Sequence, residues 1–354
     1  MSIFRLPNYR LIATTLIGSF ALFSQDAYSL GCDESEPCIS CDASEPGCGT
    51  CGSCDPTGCY PCMPACAASG PCYRNAHSYV YEGYAGRPGK LWGVWLPEGP
   101  PLFRPFIADP RQVTFSAAWR FKDQVLDKNI IPVSFGDSLA LYQWGNVFFK
   151  CDELRVEVEG AVWATFAPCR DSSPLMNADY YGGAVVTYAV GDLSFRLRAY
   201  HISCHLGDEF LLNHPGFDRR NPSAEFVDLF ASYELTDDIR IYGGLGYIVD
   251  QDTSFRMKPF YAAAGAEIRF FEWSYIRQCD KLYGVPFFAF YWRYSPDYKN
   301  HVDMTYSLGY EWGKFCGLYR RLRVFLEYHD GYSVEGQFAH RPTNYMELGL
   351  SYGF

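Results

Sequence analysis

From residue 111 to the C-terminus the sequence repeats one pattern, a short run in which apolar side chains alternate with small or polar ones. This period predicts β-strands, because successive side chains of a strand point to opposite faces. The stretches "DIRIYGGLGYIV" and "HVDMTYSLGYEW" are clear examples. The twelve predicted strands are 111–121, 137–149, 153–166, 179–190, 193–204, 223–235, 238–249, 258–270, 285–294, 301–311, 321–329 and 344–354.

Strands of this kind build either a membrane barrel or a soluble sandwich, and periodicity alone does not separate the two. The C-terminal stretch "YMELGLSYGF" favours the barrel, because its apolar face continues to Phe354 and ends in two aromatic residues. A lipid-facing strand that ends at an aromatic girdle has this arrangement. We therefore expect an all-β protein, an antiparallel up-and-down transmembrane β-barrel of about 12 strands over residues 111–354.

The predicted connections alternate between short and long, as in outer-membrane barrels with short periplasmic turns and long external loops. We therefore place the short connections in the periplasm and the long ones outside, with 271–284 and 312–320 as exceptions. The short ones are Lys150–Asp152, Gly191–Asp192 and Thr236–Asp237, and the long ones are 122–136, 167–178, 205–222 and 330–343.

The N-terminus has the organisation of an export signal. Arg5 and Arg10 precede the apolar run "LIATTLIGSFALF", and small residues follow at 27–29. This pattern predicts a signal peptide over 1–29, with an apolar run too short to span a bilayer. Residues 76–110 are then a periplasmic lead-in to a barrel in the bacterial outer membrane.

The predicted periplasmic segment 30–75 is rich in cysteine and poor in large apolar residues, so we expect it to be disordered apart from its cross-links. Pairs such as Cys38-x-x-Cys41 could bind zinc as thiolates, but export favours disulfides, within the segment or to other envelope proteins. The candidate disulfide cysteines are Cys32, Cys38, Cys41, Cys48, Cys51, Cys54, Cys59, Cys62, Cys66 and Cys72.

Charge and motifs exclude some partners. The net charge of −10 argues against nucleic acid, which requires a concentrated basic face. No strand–loop–helix phosphate motif indicates a nucleotide. We expect no cofactor and no resident metal. Outer-membrane lipid is the expected partner of the barrel surface.

The most reactive stretch lies at the end of the fifth predicted strand, where His201 and Ser203 share the apolar, lipid-side face. Such a pair could supply a general base and a nucleophile, with an acid to orient the imidazole. Glu225 is the preferred acid because it starts the next strand on the same face. Asp208 and Glu209 are alternatives on the adjoining loop, where they could instead bind a cation.

The His-x-Ser pair resembles that of outer-membrane phospholipase A and of the lipid A deacylase, two lipid-cleaving barrels. This resemblance implies hydrolysis of lipid esters at the membrane surface. In those families Asn follows the Ser, whereas Cys204 follows it here, and their third residue comes sooner in the sequence.

Two longer stretches carry a broader resemblance, "LFRPFIADPRQVTFSAAWRF" (102–121) and "RLRAYHISCHLGDEF" (196–210). They resemble an uncharacterised Gram-negative envelope family, domain of unknown function 1207, with members in environmental chlamydiae. The resemblance covers roughly 92–354 and implies an envelope location without an established reaction. The composition of the cysteine segment is similar to that of disulfide-linked chlamydial envelope proteins.

Three functions follow as hypotheses. The first is a structural envelope protein anchored through its disulfide-rich segment. The second is an acyl hydrolase that uses Ser203, His201 and Glu225. The third is a pore, since charges such as Glu157 and Arg196 would line the lumen, although side chains or the N-terminal segment could equally fill it.

Overall fold

The computed structural model describes residues 90–97, 99–277, 282–298, 303–314 and 319–354. The predicted signal peptide, the ten candidate disulfide cysteines and the first part of the lead-in lie outside these residues. The regular secondary structure of the described chain is almost entirely β-strand. Its strands are β1 (Trp92–Trp95), β2 (Phe115–Phe121), β3 (Asn129–Gly145), β4 (Asp152–Phe166), β5 (Leu175–Val190), β6 (Leu193–Leu206), β7 (Ala224–Glu234), β8 (Ile239–Gln251), β9 (Phe260–Arg269), β10 (Tyr275–Arg277), β11 (Leu282–Tyr294), β12 (Asp303–Lys314), β13 (Arg321–Tyr332) and β14 (Pro342–Gly353).

Twelve of these strands form a closed antiparallel barrel, since β2 pairs with both β3 and β14 and every other wall strand pairs with its sequence neighbours in the wall. The predicted fold class is therefore confirmed, and each predicted strand coincides with one wall strand. The largest difference in bounds is at β3, which begins at Asn129 rather than 137. Pro132 and Gly136 interrupt the alternation there and conceal the first half of the strand.

The two faces of the wall are the reverse of those in a soluble sandwich. The inward side chains that are buried are largely charged or polar, and the outward side chains are largely apolar. Buried inward residues include Arg120, Glu157, Arg196, Glu267 and Glu311, and exposed outward residues include Leu197, Leu229, Leu308, Leu326 and Leu348. An apolar exterior around a polar interior is the pattern of an outer-membrane barrel. None of the described helices is long and apolar enough to cross a membrane.

The connections distinguish the two rims of the barrel. The rim that carries 146–151, 191–192 and 235–238 is called the turn end, and the opposite rim is called the loop end. In the first of these turns, the Asp152 carboxylate accepts hydrogen bonds from the backbone N–H groups of Val147, Phe148 and Phe149. The long predicted connection 271–284 contains β10, which pairs with β11 and so extends the wall at this rim.

Two separate strands, β1 and β2, pair with different halves of β3. β1 pairs with β3 over Tyr142–Gly145, whereas β2 pairs with the other half of β3, over Asn129–Ser134. Because β4 occupies the opposite edge of β3, β1 and β2 must lie on the same edge. The described residues between them, 96–97 and 99–114, leave the wall and pass through the lumen, and we call them the crossing segment.

Apolar and polar contacts hold the crossing segment. Phe106 is 1% exposed, and its ring stacks on Tyr242 with the centroids 3.9 Å apart. Arg240 donates hydrogen bonds to the carbonyls of Arg104 and Pro105 at 2.6 and 3.1 Å. The backbone N–H of Ile107 donates to Glu267. In the predicted lead-in 76–110, residues from 90 onward that the structure describes pair with β3 or contact the inner side of the wall.

Loop residues cover the lumen at the loop end. The short helix α1 (Asp208–Asn213) buries Phe210 against Phe338 from the 333–341 connection. Leu126 and Met176 belong to the same apolar cluster. This cluster closes the barrel beside the ends of β6 and β7, where the reactive residues lie.

Candidate active site

Strand register brings His201 and Glu225 together on the outward face of the barrel. β6 and β7 pair directly over Leu193–Ile202, and His201 lies opposite Glu225. Apolar outward residues, Leu197 on β6 and Val227 and Leu229 on β7, lie on the turn-end side of this pair. The two polar residues therefore lie where the apolar surface meets the loop end.

The imidazole of His201 contacts two side chains of the neighbouring chain segment. Its Nδ1 lies 2.9 Å from Oε1 of Glu225, and its Nε2 lies 3.4 Å from Oγ of Ser223. The side chains of His201 and Glu225 are 46% and 50% exposed, so the group is accessible from outside the barrel. A carboxylate, an imidazole and a hydroxyl in this order can act as orienting group, general base and nucleophile.

Ser203 also points outward, two positions after His201 on β6, and it pairs with Tyr180 of β5. Among the described residues its hydroxyl makes no hydrogen bond, including none to His201. The structure therefore brings together two predicted site residues, His201 and Glu225, and adds Ser223, which the sequence interpretation missed. The available signal was the Ser-x-Glu order at the start of β7, opposite the His-x-Ser order at the end of β6.

Loop contacts fix the backbone around Ser223. The Ser223 carbonyl accepts a hydrogen bond from the N–H of Asp252, and the amide of Asn221 donates to the Asp252 carboxylate at 2.9 Å. Ser254 donates to the same carboxylate through its hydroxyl and its N–H. The hydrogen bonds from Ser254, and then that from Asn221, lower the pKa of Asp252. The hydroxyl of Ser223 is thus placed by an ordered turn.

A β-bulge adjoins Glu225. Glu225 pairs with Asp250, whereas Phe226 pairs with Ile248, so Val249 is an extra residue on β8. Bulges change strand twist locally and are common beside active sites, where they direct side chains. Here the bulge lies one strand away from His201.

The alternative acids lie apart from this group. Asp208 and Glu209 are the exposed first residues of α1, and in the described chain neither carboxylate forms an ion pair or hydrogen bond with His201. The described residues contain no group of three or more His, Cys, Asp or Glu side chains suited to a metal. Cys204 faces the lumen as the strand alternation predicts, and its thiol donates to Asn177 Oδ1 at 2.9 Å.

A family profile described as "Protein of unknown function (DUF1207)" matches residues 78–354, which include both site strands and the crossing segment. The chain belongs to this family. The predicted family resemblance is therefore confirmed for the barrel. The cysteine segment 30–75 lies outside the match, and no curated protein matches this DUF1207 chain.

Solved structures similar to this DUF1207 barrel include outer-membrane phospholipase A from Escherichia coli, with 10% identity, 68% coverage of this chain, 92% of the other and a TM-score of 0.44. The Salmonella typhi phospholipase dimer with bound calcium has 11% identity, 71% and 94% coverage and a TM-score of 0.44. The NanC porin has 11% identity, 68% and 100% coverage and a TM-score of 0.33. These similarities are too distant to assign an activity or a site.

Proposed function

We propose that this barrel is a lipid-directed acyl hydrolase. The observation that carries the proposal is the His201 imidazole, which faces a carboxylate through one nitrogen and a serine hydroxyl through the other, on the outward surface. A buried network with the same residue types would have a structural explanation. These groups are instead half exposed and make no contribution to the packed lumen.

The carboxylate sets the role of each ring nitrogen. When Nδ1–H donates to Glu225, the lone pair of Nε2 points away from Glu225 and can accept a proton from a hydroxyl. The negative charge of Glu225 also stabilises the imidazolium that forms when that proton is transferred. His201 would therefore act as general base and Glu225 as its orienting partner.

Position favours a lipid ester as substrate. Leu197, Val227 and Leu229 line the outward face beside the site and would contact acyl chains. The polar group lies at the loop end, where it would be at the level at which the ester carbonyls of a membrane lipid meet water. With the long loops outside, as their lengths predict, the substrate is an ester of outer-leaflet phospholipid or lipid A.

The test is fatty-acid release from phospholipid and from lipid A by purified protein in detergent micelles. His201→Ala should lower the rate at least about 100-fold, since general acid–base groups contribute factors of this size. His205→Ala is the matched control, because this exposed histidine shares the outward face of β6 and its ring packs against Tyr180. A parent protein that hydrolyses neither ester would exclude the proposal.

A structural envelope role is the second candidate. One observation favours it: Cys151 lies in the first turn of the turn end, on the rim predicted to face the oxidising periplasm, where disulfides form. This role predicts high-mass species on non-reducing gels that disappear with reductant. Migration as a monomer under both conditions would count against it. We do not propose a pore, because the crossing segment occupies the lumen.

A further inference from the structure

We infer that Ser223, and not Ser203, is the nucleophile of the hydrolase. The inference rests on the proposed function and adds to it the identity of the attacking hydroxyl. The two serines are close alternatives, because continuing the β6–β7 register one step beyond Ile202–Ala224 sets Ser203 opposite Ser223. The orientation of the His201 ring decides between them.

The His201 ring contacts two side chains of the segment that leads into β7. Glu225 and Ser223 are two positions apart on the same segment and the same face, a separation of roughly 7 Å in extended chain. His201 lies across from Glu225 and bridges the two, with Nδ1 on the carboxylate and Nε2 on the hydroxyl. Ser203 lies on the same strand as His201, and its hydroxyl is not one of the two groups that these ring nitrogens contact.

The surroundings of the two hydroxyls also differ. The backbone of Ser223 is held by Asp252, whose N–H donates to its carbonyl at 3.0 Å, and by the Asn221 turn. Within the part of the chain that the structure describes, the Ser203 hydroxyl has no hydrogen-bonding partner. A nucleophile within reach of its base and on a fixed backbone meets the geometric requirement for attack.

The reaction balances with water as the only co-substrate. Ser223 Oγ forms a bond to the ester carbonyl carbon while its proton passes to Nε2 of His201. The bond to the alkoxy group then breaks, and His201 returns the proton to the leaving alcohol. Water attacks the acyl-serine and gives a proton to His201, the fatty acid departs, and Ser223 recovers its hydrogen.

Two serine variants test the assignment by activity. Ser223→Ala should lower hydrolysis at least about 1,000-fold, because loss of a nucleophile removes the covalent route. Ser203→Ala should stay within about tenfold of the parent, because it leaves the Ser223 hydroxyl, its base and the orienting carboxylate in place. Heat-modifiable migration on gels reports whether each variant still folds. The opposite order of losses would overturn the inference and leave the hydrolase proposal intact.

A labelling experiment on the unaltered protein is independent of variant folding. A long-chain alkyl fluorophosphonate forms a P–O bond with an activated serine and expels fluoride. Trypsin separates the two serines, since cleavage after arginine gives peptide 199–219 with Ser203 and peptide 221–240 with Ser223. We expect the adduct on Ser223 in the second peptide. An adduct on Ser203 would overturn the inference alone, whereas absence of both adduct and hydrolysis would overturn the hydrolase as well.

Discussion

The guanidinium of Arg240, on β8, donates a hydrogen bond to the main-chain carbonyl of Arg104 at 2.6 Å, so a wall strand directly holds the chain that crosses its lumen. The same guanidinium contacts Ser232 and Glu267, and Arg240 is only 1% exposed. Polar contacts thus join wall and lumen. The contribution of each of these side chains to the stability of the barrel can therefore be tested by substitution.

Replacing Arg240 with Met should destabilise the barrel. Glu267 is fully buried and would lose one of its guanidinium partners, while Arg269 remains at 3.4 Å. Breaking such a buried pair costs about 3 kcal/mol. The free energy of unfolding by urea in lipid vesicles measures this loss. Arg170→Met removes a more exposed pair with Asp127 and should cost less than about 1 kcal/mol. Equal losses of unfolding free energy in the two variants would contradict the role assigned to Arg240.

Replacing Phe106 with Ala should loosen the crossing segment. The phenyl ring packs among Phe103, Phe230 and Tyr242, so its removal leaves a cavity and costs about 3–5 kcal/mol. Single-channel recording should also show more ion conductance than in the parent. Phe148→Ala is the control, because that ring is exposed in a turn. Unchanged stability and conductance would show that the ring does not hold the segment.

Acid should weaken the loop end through Glu335. Burial acts to raise the pKa of Glu335, but the charges of Arg120 and Arg111 and the hydrogen bond from Ser333 lower it to about 2. A carboxyl with a lowered folded-state pKa contributes stability above its unfolded pKa of about 4.3, and the contribution disappears as pH falls through 2. The expected contribution is on the order of 3 kcal/mol.

Glu335→Gln isolates this contribution. Unfolding of the parent and the variant is compared between about pH 6 and pH 2, the range over which the contribution of Glu335 declines. The parent should be more stable at the upper limit, and the difference should shrink toward pH 2. A constant difference across this range would mean that Glu335 is not the titrating group.

Glu225→Gln should slow hydrolysis about 100-fold, mainly through kcat, because a neutral amide cannot stabilise the imidazolium of His201. Initial rates of fatty-acid release as a function of lipid concentration give kcat and KM separately. Glu209→Gln is the control, since this exposed carboxyl of α1 does not contact the imidazole. Equal rates in the parent and Glu225→Gln would remove Glu225 from the mechanism.

Two free cysteines report which rim faces outward in cells. Cys169 is exposed in the loop-end connection between β4 and β5, whereas Cys204 is buried in the lumen. A membrane-impermeant maleimide applied to intact cells should label Cys169, which tryptic peptide 156–170 contains, and leave Cys204 unmodified. Labelling of Cys169 only after cell lysis would reverse the predicted orientation.

The wall strands could be predicted from the sequence because lipid and lumen impose a period of two on every strand. In the first half of β6, for example, apolar outward residues from Leu193 to Ala199 alternate with inward residues that include Arg196 and Arg198. The start of β3 could not be predicted, because Pro132 and Gly136 break that pattern. The crossing segment shows no strand period in the sequence. Its course depends on contacts with residues far away in the sequence, such as Tyr242 and Glu267.

The candidate site was predictable in part for a related reason. The outward direction of His201 follows from alternation, but its nearest hydroxyl depends on the register between β6 and β7. A long connection separates these strands, so no tight turn fixes their register in a way that the sequence displays. Ser223, just before β7 begins, therefore resembles an ordinary loop residue until the pairing is known.

β1 and β2 share one edge of β3, and this arrangement determines how the crossing segment could leave the lumen. A plug formed by a free terminus can leave a barrel without breaking strand pairs. The crossing segment is instead joined to a paired strand at each end, β1 before it and β2 after it. Its release requires the four residue pairs of β1 with β3 to separate first. Withdrawal of the crossing segment from the lumen would thus begin with the loss of four paired residues at the turn end, whereas a substitution such as Phe106→Ala loosens the segment in place.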